Sequence, residues 1–520
     1  MKKQPEQPVV ISAAPSSDEV TALREENAAL KHRVAWFERQ LFGQKSEKRP
    51  VDNPLQASLL GEPAPAIEPE GETVTVSYSR RKQRPDDCVN DSGLRFSDKV
   101  PVQIIEQSVP ELTGPDADQY ETIATRSTFR LAQRPASYVV LRYDRPLVRH
   151  RDSEQPCPCP APVNVLERSI ADVSLLVGLL IDKFLYHLPL YRQHQRLEQA
   201  GISLSRSTLT NLSKRAIELL RPIVEAQLQH VLKSKVLAMD ETPIKAGKAG
   251  KGKLKQSWFW PLYGDQDEVV FTFSSSRGRQ HIEAVLQTQF KGTLLSDGYS
   301  AYASYAEKNA GITHAQCWVH SRRKFIDAEA QEPVAAGTAL DTIARLYQVE
   351  KEIRDKQLSG EKKRHYRLEH SKPIVDGFFE WSDQQLRRGD LTPSNPLHKA
   401  LGYVTKRATS LRVFLEDPDV APDTNHLERG LRPIPMGRKA WMFCWTELGA
   451  EHVGLIQSLI STCKLHDIDQ YVYLTDVLLR VSEHPASRVD ELTPRLWKTL
   501  FADNPLRSDL DNVAVNNAVE

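Results

Sequence analysis

Two short apolar runs, each closing on a carboxylate, constrain this chain more than any other feature. Lys235 to Met239 (KVLAM) leads into Asp240, and GTLLS at 292–296 leads into Asp297. Each run has the length of a buried central strand with its acid at the end. Residues 257–263 (SWFWPLY) and 268–274 (EVVFTFS) read as two further strands, and RGRQH at 277–281 opens a helix. An α/β core follows. Two acids at the ends of neighbouring strands share a small site cheaply only when a cation lies between them, because like charges raise one pKa. An oxygen-only donor set points to Mg²⁺ or Mn²⁺.

A third acid is then needed, and TNHLERGLRPIPMGRKAWMF at 424–443 supplies Glu428. Thr424 or Asn425 can cap the helix start, Leu427 and Leu431 face the core together, and Glu428 shares an adjacent face with Arg432. Gly430 and Pro433 weaken or kink this helix. Arg429, Arg432, Arg438 and Lys439 surround Glu428 with positive charge, so it reads equally well as a salt-bridged surface residue.

The rest of the chain sets bounds. Its 520 residues suffice for several domains, and the net charge of +1 confines polyanion binding to local basic patches. The apolar run SLLVGLLI at 174–181 is too short to span a bilayer, and the N-terminus lacks a signal core. Six cysteines make no disulfide framework, which fits a reducing cytoplasm.

Residues 1–18 read as disordered. In VTALREENAALKHRVAWFERQL, Val20, Asn27, Val34 and Leu41 recur every seventh position, as do Leu23, Leu30 and Phe37. That predicts a coiled coil over 19–42, with Asn27 favouring a parallel homodimer. A Pro-rich linker with the basic cluster SYSRRKQRP fills 43–90, and a strand-rich region spans 91–160. CPCP at 157–160 offers Cys157 and Cys159 as half of a zinc site. From 161 to 232 the pattern is helical. Leu190 to Ala200 is amphipathic, Gly201 turns, and Ser205 caps a second helix carrying Arg206, Ser207, Thr208 and Lys214. This is helix-turn-helix spacing, which is also that of an ordinary helical hairpin.

Several strings together resemble a DDE transposase, and more closely the TnpC-like large transposase of IS-sixty-six-type bacterial insertion sequences. They are LFGQKSEK at 41–48, HLPLYRQ, LSRSTL, MDETPI at 239–244, SDGYSAY at 296–302, HAQCWVHSRRKF at 314–325, NHLERGLRP with GRKAW, and SLISTCKLHDIDQYVYLTDVL at 458–478. The resemblance covers most of residues 20–485. It implies an RNase H-like catalytic core over 233–445, with a helical insertion at about 326–400, a C-terminal helical element at 446–490 and a tail at 491–520. The implied catalytic and metal-binding acids are Asp240, Asp297 and Glu428, holding two Mg²⁺ or Mn²⁺ ions. Glu241 is the rival ligand.

The reaction implied is cleavage at the element ends, then strand transfer by the DNA 3′-hydroxyl. Double-stranded DNA is the implied partner, contacted by the lysine loop (Lys248, Lys251, Lys253) and by Arg322, Arg323, Arg432, Arg438 and Lys439. A homodimer or higher oligomer, small accessory proteins of the same element and a nucleoid-associated location complete the expectation. The alternatives are a DNA-binding regulator with an inactive catalytic fold, or a nuclease without strand transfer. Members of the family usually carry a fuller cysteine region, whose first pair is missing here, which leaves Zn²⁺ with an incomplete ligand set. The C-x2-H string CWVH at 317–320 reads as core beside the site.

Overall fold

The computed structural model describes residues 88–511 apart from short breaks, the longest at 152–154. The expected coiled coil at 19–42 and the basic cluster at 77–85 lie outside the described residues, as do Lys251 and the Cys157 side chain.

The N-terminal part of the described chain is strand-rich. Strands β1 (Cys88–Asp91) and β2 (Leu94–Ser97) pair antiparallel. β3 (Val102–Glu106) runs parallel to β5 (Ser137–His150), which forms a long antiparallel hairpin with β4 (Tyr120–Arg134) and also pairs with β6 (Pro156–Pro158). Helix α1 (Val173–Phe184) follows, capped by Asp172 and buried on nearly every side, as its unbroken apolar run requires. Helix α2 (Leu190–Gln199) turns at Gly201, whose φ of +84° suits glycine. Two residues of strand, β7 (Ile202–Ser203), pair with β2 and lead to α3 (Arg206–Val231), where Ser205 accepts from the Thr208 N–H at 3.0 Å.

The second sheet holds the acid-bearing strands. Its members are β8 (Val236–Met239), β9 (Thr242–Gly250), β10 (Lys253–Tyr263), β11 (Val269–Ser274), β12 (Gly292–Ser296) and β13 (Ile312–Gln316). The order is β11-β10-β8-β12-β13, with β9 paired to β10. The pairs β11–β10 and β10–β8 are antiparallel, while β8–β12 and β12–β13 are parallel. Helix α4 (Arg279–Leu286) leads from β11 to β12, and α5 (Ser300–Lys308) links the parallel neighbours β12 and β13.

The lysine-rich stretch departs from its sequence reading. The described residues of 245–255 are not an open loop. Residues 245–250 and 253–255 form the arms of the β9–β10 hairpin, tied to the chain further on by the Cys444 N–H donating to the Lys245 carbonyl at 2.9 Å. Gly247, at φ +70°, lies within β9.

A block of helices separates β13 from the segment of Glu428. It comprises α6 (Trp318–Ala328), α7 (Pro333–Asp355), α8 (Gly360–Tyr366), a π-turn at Arg367–Ser371, α9 (Lys372–Leu386), α10 (Pro396–Thr405) and α11 (Ala408–Glu416). Trp318, Phe325, Phe378, Phe379 and Trp381 stack at its centre, with ring centroids 5.4–6.5 Å apart. Then come α12 (Asn425–Leu431) and α13 (Pro433–Trp441), the break falling between Gly430 and Pro433.

Helix α14 (Glu447–Leu465) covers the open edge of the second sheet. The N–H of Val269 donates to Thr462 Oγ1 at 3.1 Å, and that of Phe271 to Ser458 Oγ at 2.9 Å. Edge donors are satisfied by helix hydroxyls, and an exposed strand edge is avoided. After α15 (Gln470–Arg480), the stretch from 491 is no loose tail as far as Asp511. Helix α16 (Pro494–Leu500) buries Trp497, whose indole N–H reaches Asp476 at 2.7 Å. Ser508 donates to Asp172 at 2.7 Å, and Leu510 is buried with Leu141 and Tyr143. Among the described residues no helix is long and apolar enough to cross a membrane.

Candidate active site

Register decides where the first two acids lie. Leu295 stands opposite Ala238 in the parallel β8–β12 pair, so both strands end on the same side. Asp240 and Asp297 therefore emerge together at the carboxyl ends of adjacent strands, the usual position for chemistry in an α/β sheet. Asp240, Glu241 and Asp297 each offer a carboxylate oxygen, all within 4.8 Å of one another.

Backbone donors aim the aspartates. The Glu241 N–H donates to Asp240 Oδ1 at 2.8 Å, and the Tyr299 N–H to Asp297 Oδ1 at 2.8 Å, so one oxygen of each is held. Gly298 follows Asp297 because a Cβ there would collide with the Tyr403 hydroxyl. Its carbonyl accepts from Arg407 Nη2 at 3.0 Å.

Glu241 is held differently. Its side chain is 2% exposed, Oε1 accepts from Arg277 (Nε at 2.9 Å, Nη2 at 2.5 Å), and Oε2 accepts from the Tyr302 hydroxyl at 2.7 Å. Both of its oxygens thus have protein partners. Arg277 lies over the Tyr299 ring, 4.5 Å from its centroid. Arg277 and Tyr302 were not assigned from sequence, although both lie within or beside strings singled out there. Their signal is weak, since an arginine before a helix and a tyrosine within one are common.

Glu428 occupies the first turn of α12, half-buried, with Oε1 3.9 Å from His320 Nε2. It stands outside the three-acid cluster, yet its charge reaches it. Burial first, then the charges of Glu241, Asp297 and Glu428, push the Asp240 carboxyl up to about 7. Such a cluster destabilises its own charged form until a cation compensates, and its oxygen-only donors fit a hard divalent ion.

The CWVH string ties Glu428 to the sheet. Cys317 is buried, and its sulfur accepts from both the N–H and the hydroxyl of Thr424 at 3.4 Å. Trp318 is satisfied within the protein: its N–H donates to the Pro422 carbonyl at 2.9 Å, and its indole N–H to that of Leu411 at 2.9 Å. Thr424 does not cap α12 with its side chain. The larger device is Arg367, fully buried. Nε and Nη2 grip both oxygens of Glu350 at 2.8 and 2.9 Å, and Nη1 donates to the carbonyls of Phe414, Asp417 and Val420 at 2.7, 3.2 and 3.0 Å. It pins the turn that leads to Thr424 and Glu428.

The cationic candidates divide. Arg206, Ser207 and Lys214 are exposed at the start of α3, and Thr208 is half-buried. Lys248 and Lys253 are exposed on the hairpin, and Arg322 and Arg323 on α6. Arg432 and Lys439 are exposed, whereas Arg438 donates to the Pro243 carbonyl and braces α13 against β9. Lys255 is partly neutralised by Glu447 at 3.3 Å. The Cys159 thiol, half-buried, points to Gln107 Oε1 at 4.0 Å.

The profile of the Transposase IS66 family matches residues 168–452, more than half of the chain, and spans every acid just described. The chain belongs to that family. The IS66 C-terminal element matches residues 458–495, which comprise the last eight residues of α14, all of α15 and the start of α16. A third profile, Transposase C of IS166 homeodomain, matches residues 29–87. Relatives in Sinorhizobium fredii (strain NBRC 101917 / NGR234) agree over most of the length. The uncharacterized protein y4hP is 29% identical over 508 residues, covering 91% of this chain and 89% of its own. The uncharacterized protein y4jD is 28% identical over 502 residues, covering 90% and 94%. Family membership makes the chain a transposase, and a divalent metal is implied with it.

Proposed function

We propose that this transposase binds the ends of its insertion sequence and cuts and rejoins DNA with Asp240, Asp297 and Glu428 as its catalytic, metal-holding acids. The observation that carries the reading is the pair of aspartates at the carboxyl ends of adjacent parallel strands, with Glu428 close enough for its charge to act on Asp240. The strand order, three antiparallel strands followed by two parallel ones, supports an RNase H-like core.

Asp240 and Asp297 would each turn one oxygen to the metals while a backbone N–H holds the other. Divalent ions, when bound, supply charge stabilisation at the phosphate and lower the pKa of water, which favours Mg²⁺ or Mn²⁺. Glu241 would serve as a brace, since Arg277 and Tyr302 occupy its oxygens. In the first step a water oxygen attacks phosphorus and the P–O3′ bond breaks, leaving a DNA 3′-hydroxyl. That hydroxyl then attacks a target phosphate and displaces a target 3′-oxygen. The exposed cations Arg206, Lys214, Lys248, Lys253, Arg322, Arg323, Arg432 and Lys439 would hold the phosphate backbone, as Ser207 and Thr208 would hold it by hydroxyl donors.

The test is an assay on DNA carrying the element ends with Mg²⁺ or Mn²⁺. Wild type should nick and join the DNA, while Asp240→Ala, Asp297→Ala and Glu428→Ala bind but do neither. A cutting Glu428→Ala variant with an inactive Glu241→Gln would move the third position to Glu241. Nicking without joined product would make the chain a nuclease, and binding without cleavage would leave a regulator.

A further inference from the structure

Against helix α12 lies a cleft that neither the acids nor the hairpin account for. It has a volume of about 580 Å³ and lies between the end of α1, the helices α12 and α13, and α14. Arg429, Arg432 and Lys464 line it. Among the described residues no carboxylate lies within ion-pairing distance of these three cations. Their charges are left for an anion from outside. Two buried polar atoms on the same wall also lack a hydrogen-bond partner: Ser461 Oγ, on a residue 5% exposed, and His187 Nδ1. Both atoms are free to meet a polar group that enters the cleft.

The cleft is too large for a phosphate alone, and much of the rest of its lining is apolar. Tyr186 is 69% exposed and Met436 is 56% exposed, an unusual state for side chains of that size on one rim. Cations and an exposed aromatic ring lining one cleft match a phosphate joined to a planar base. We infer that this cleft receives a single DNA nucleotide drawn out of the duplex at the element end, its phosphate on Arg429, Arg432 and Lys464 and its base against Tyr186. The inference rests on the reading of the protein as a DNA strand-cutting enzyme. Position explains why the ligand is DNA: Arg429 is next to Glu428, and Arg432 lies about one helical turn beyond it, roughly 6 Å along the axis. A strand engaged at Glu428 would have these two arginines within a helical turn of it. Unstacking costs least for a base that is already unpaired.

The test is fluorescence anisotropy on the full chain with duplexes of the element end, one blunt and one with a single unpaired terminal nucleotide. Wild type should prefer the unpaired end by about tenfold, the scale of one base stacked on an aromatic ring. An abasic unpaired residue should lose most of that gain. Tyr186→Ala and Lys464→Gln, both at exposed positions, should each reduce the preference to below about threefold. Equal binding of the two duplexes by wild type overturns the cleft assignment while the DNA reading stands. So does an undiminished preference in both variants, and an abasic end bound as well as a nucleotide reduces the cleft to a phosphate site and overturns its base-binding role. Failure to bind either duplex overturns the DNA reading and the cleft assignment together.

Discussion

Asp240 and Asp297 reach the site by a different route from Glu428. The aspartates follow strands that are hydrogen-bonded neighbours, so a ladder of backbone bonds sets their separation. Glu428 follows a block of helices running from Trp318 to Glu416, and mainly side chains hold it: Cys317 on Thr424 and Arg367 on three carbonyls, beside one backbone bond from Trp318 to Pro422. A ladder tolerates the loss of one side chain. A clamp made of one buried arginine does not.

The largest expected effect lies on the ladder side and concerns chemistry alone. Asp297→Asn should lower cleavage by more than about 10³-fold with element-end binding retained, because a ligand charge is lost while the strand remains. Gel assays of binding and nicking check this, and a cleavage loss matched by lost binding would remove the distinction between the two routes.

The next effect lies on the clamp side. Arg367→Met should destabilise the protein by about 3–5 kcal/mol, since it strands the buried Glu350 charge. Denaturant titration reads this. Arg367→Met combined with Glu350→Leu should recover most of the stability but little of the cleavage. Full recovery of cleavage would show that the clamp does not position Glu428.

A third effect follows from pH. Asp240 titrates near 7 in the folded protein, against about 4 when unfolded. With the folded pKa raised, the contribution to stability is full below about pH 4 and is lost as pH rises through about 7. Metal-free protein should therefore melt at lower temperature at pH 8 than at pH 5.5. Asp240→Asn should flatten that slope, by about 2 °C or more at pH 8. An unchanged slope would mean that the cluster is not under charge strain.

The smallest effect is Thr424→Val, which removes one hydroxyl from Cys317 and should cost about 1 kcal/mol. Its value lies in the ratio: cleavage should fall more than stability predicts, and the midpoint in metal concentration should rise. A change in stability alone would place Thr424 outside the positioning of Glu428.

Legibility followed the same division. The strands and the two aspartates were readable because a short apolar run ending in an acid is a local pattern. The helix-turn-helix spacing was readable through Gly201 and Ser205, each of which acts within a few residues. The hairpin was misread as a loop, because its glycines and lysines carry no strand signal and it is anchored through Cys444, about two hundred residues further on. Arg367 was invisible, since a lone arginine in a charged helix looks like solvated surface. The caps on the sheet edge were equally hidden. Ser458 and Thr462 lie in a string that carries the family resemblance, but nothing local says that their hydroxyls meet strand β11.

By itself the sequence determined the local units: which runs become strands, where the helices start and break, and which two acids stand at strand ends. Periodicity, capping and chain reversal act over a few residues, and the residues concerned are adjacent in the chain. Tertiary structure alone decided which partner each charged or polar group meets. It gave Glu241 to Arg277 and Tyr302, Glu350 to Arg367, and Thr424 to Cys317. The physical reason is that a buried polar group must be satisfied, yet its partner can come from any part of the chain that packing brings near.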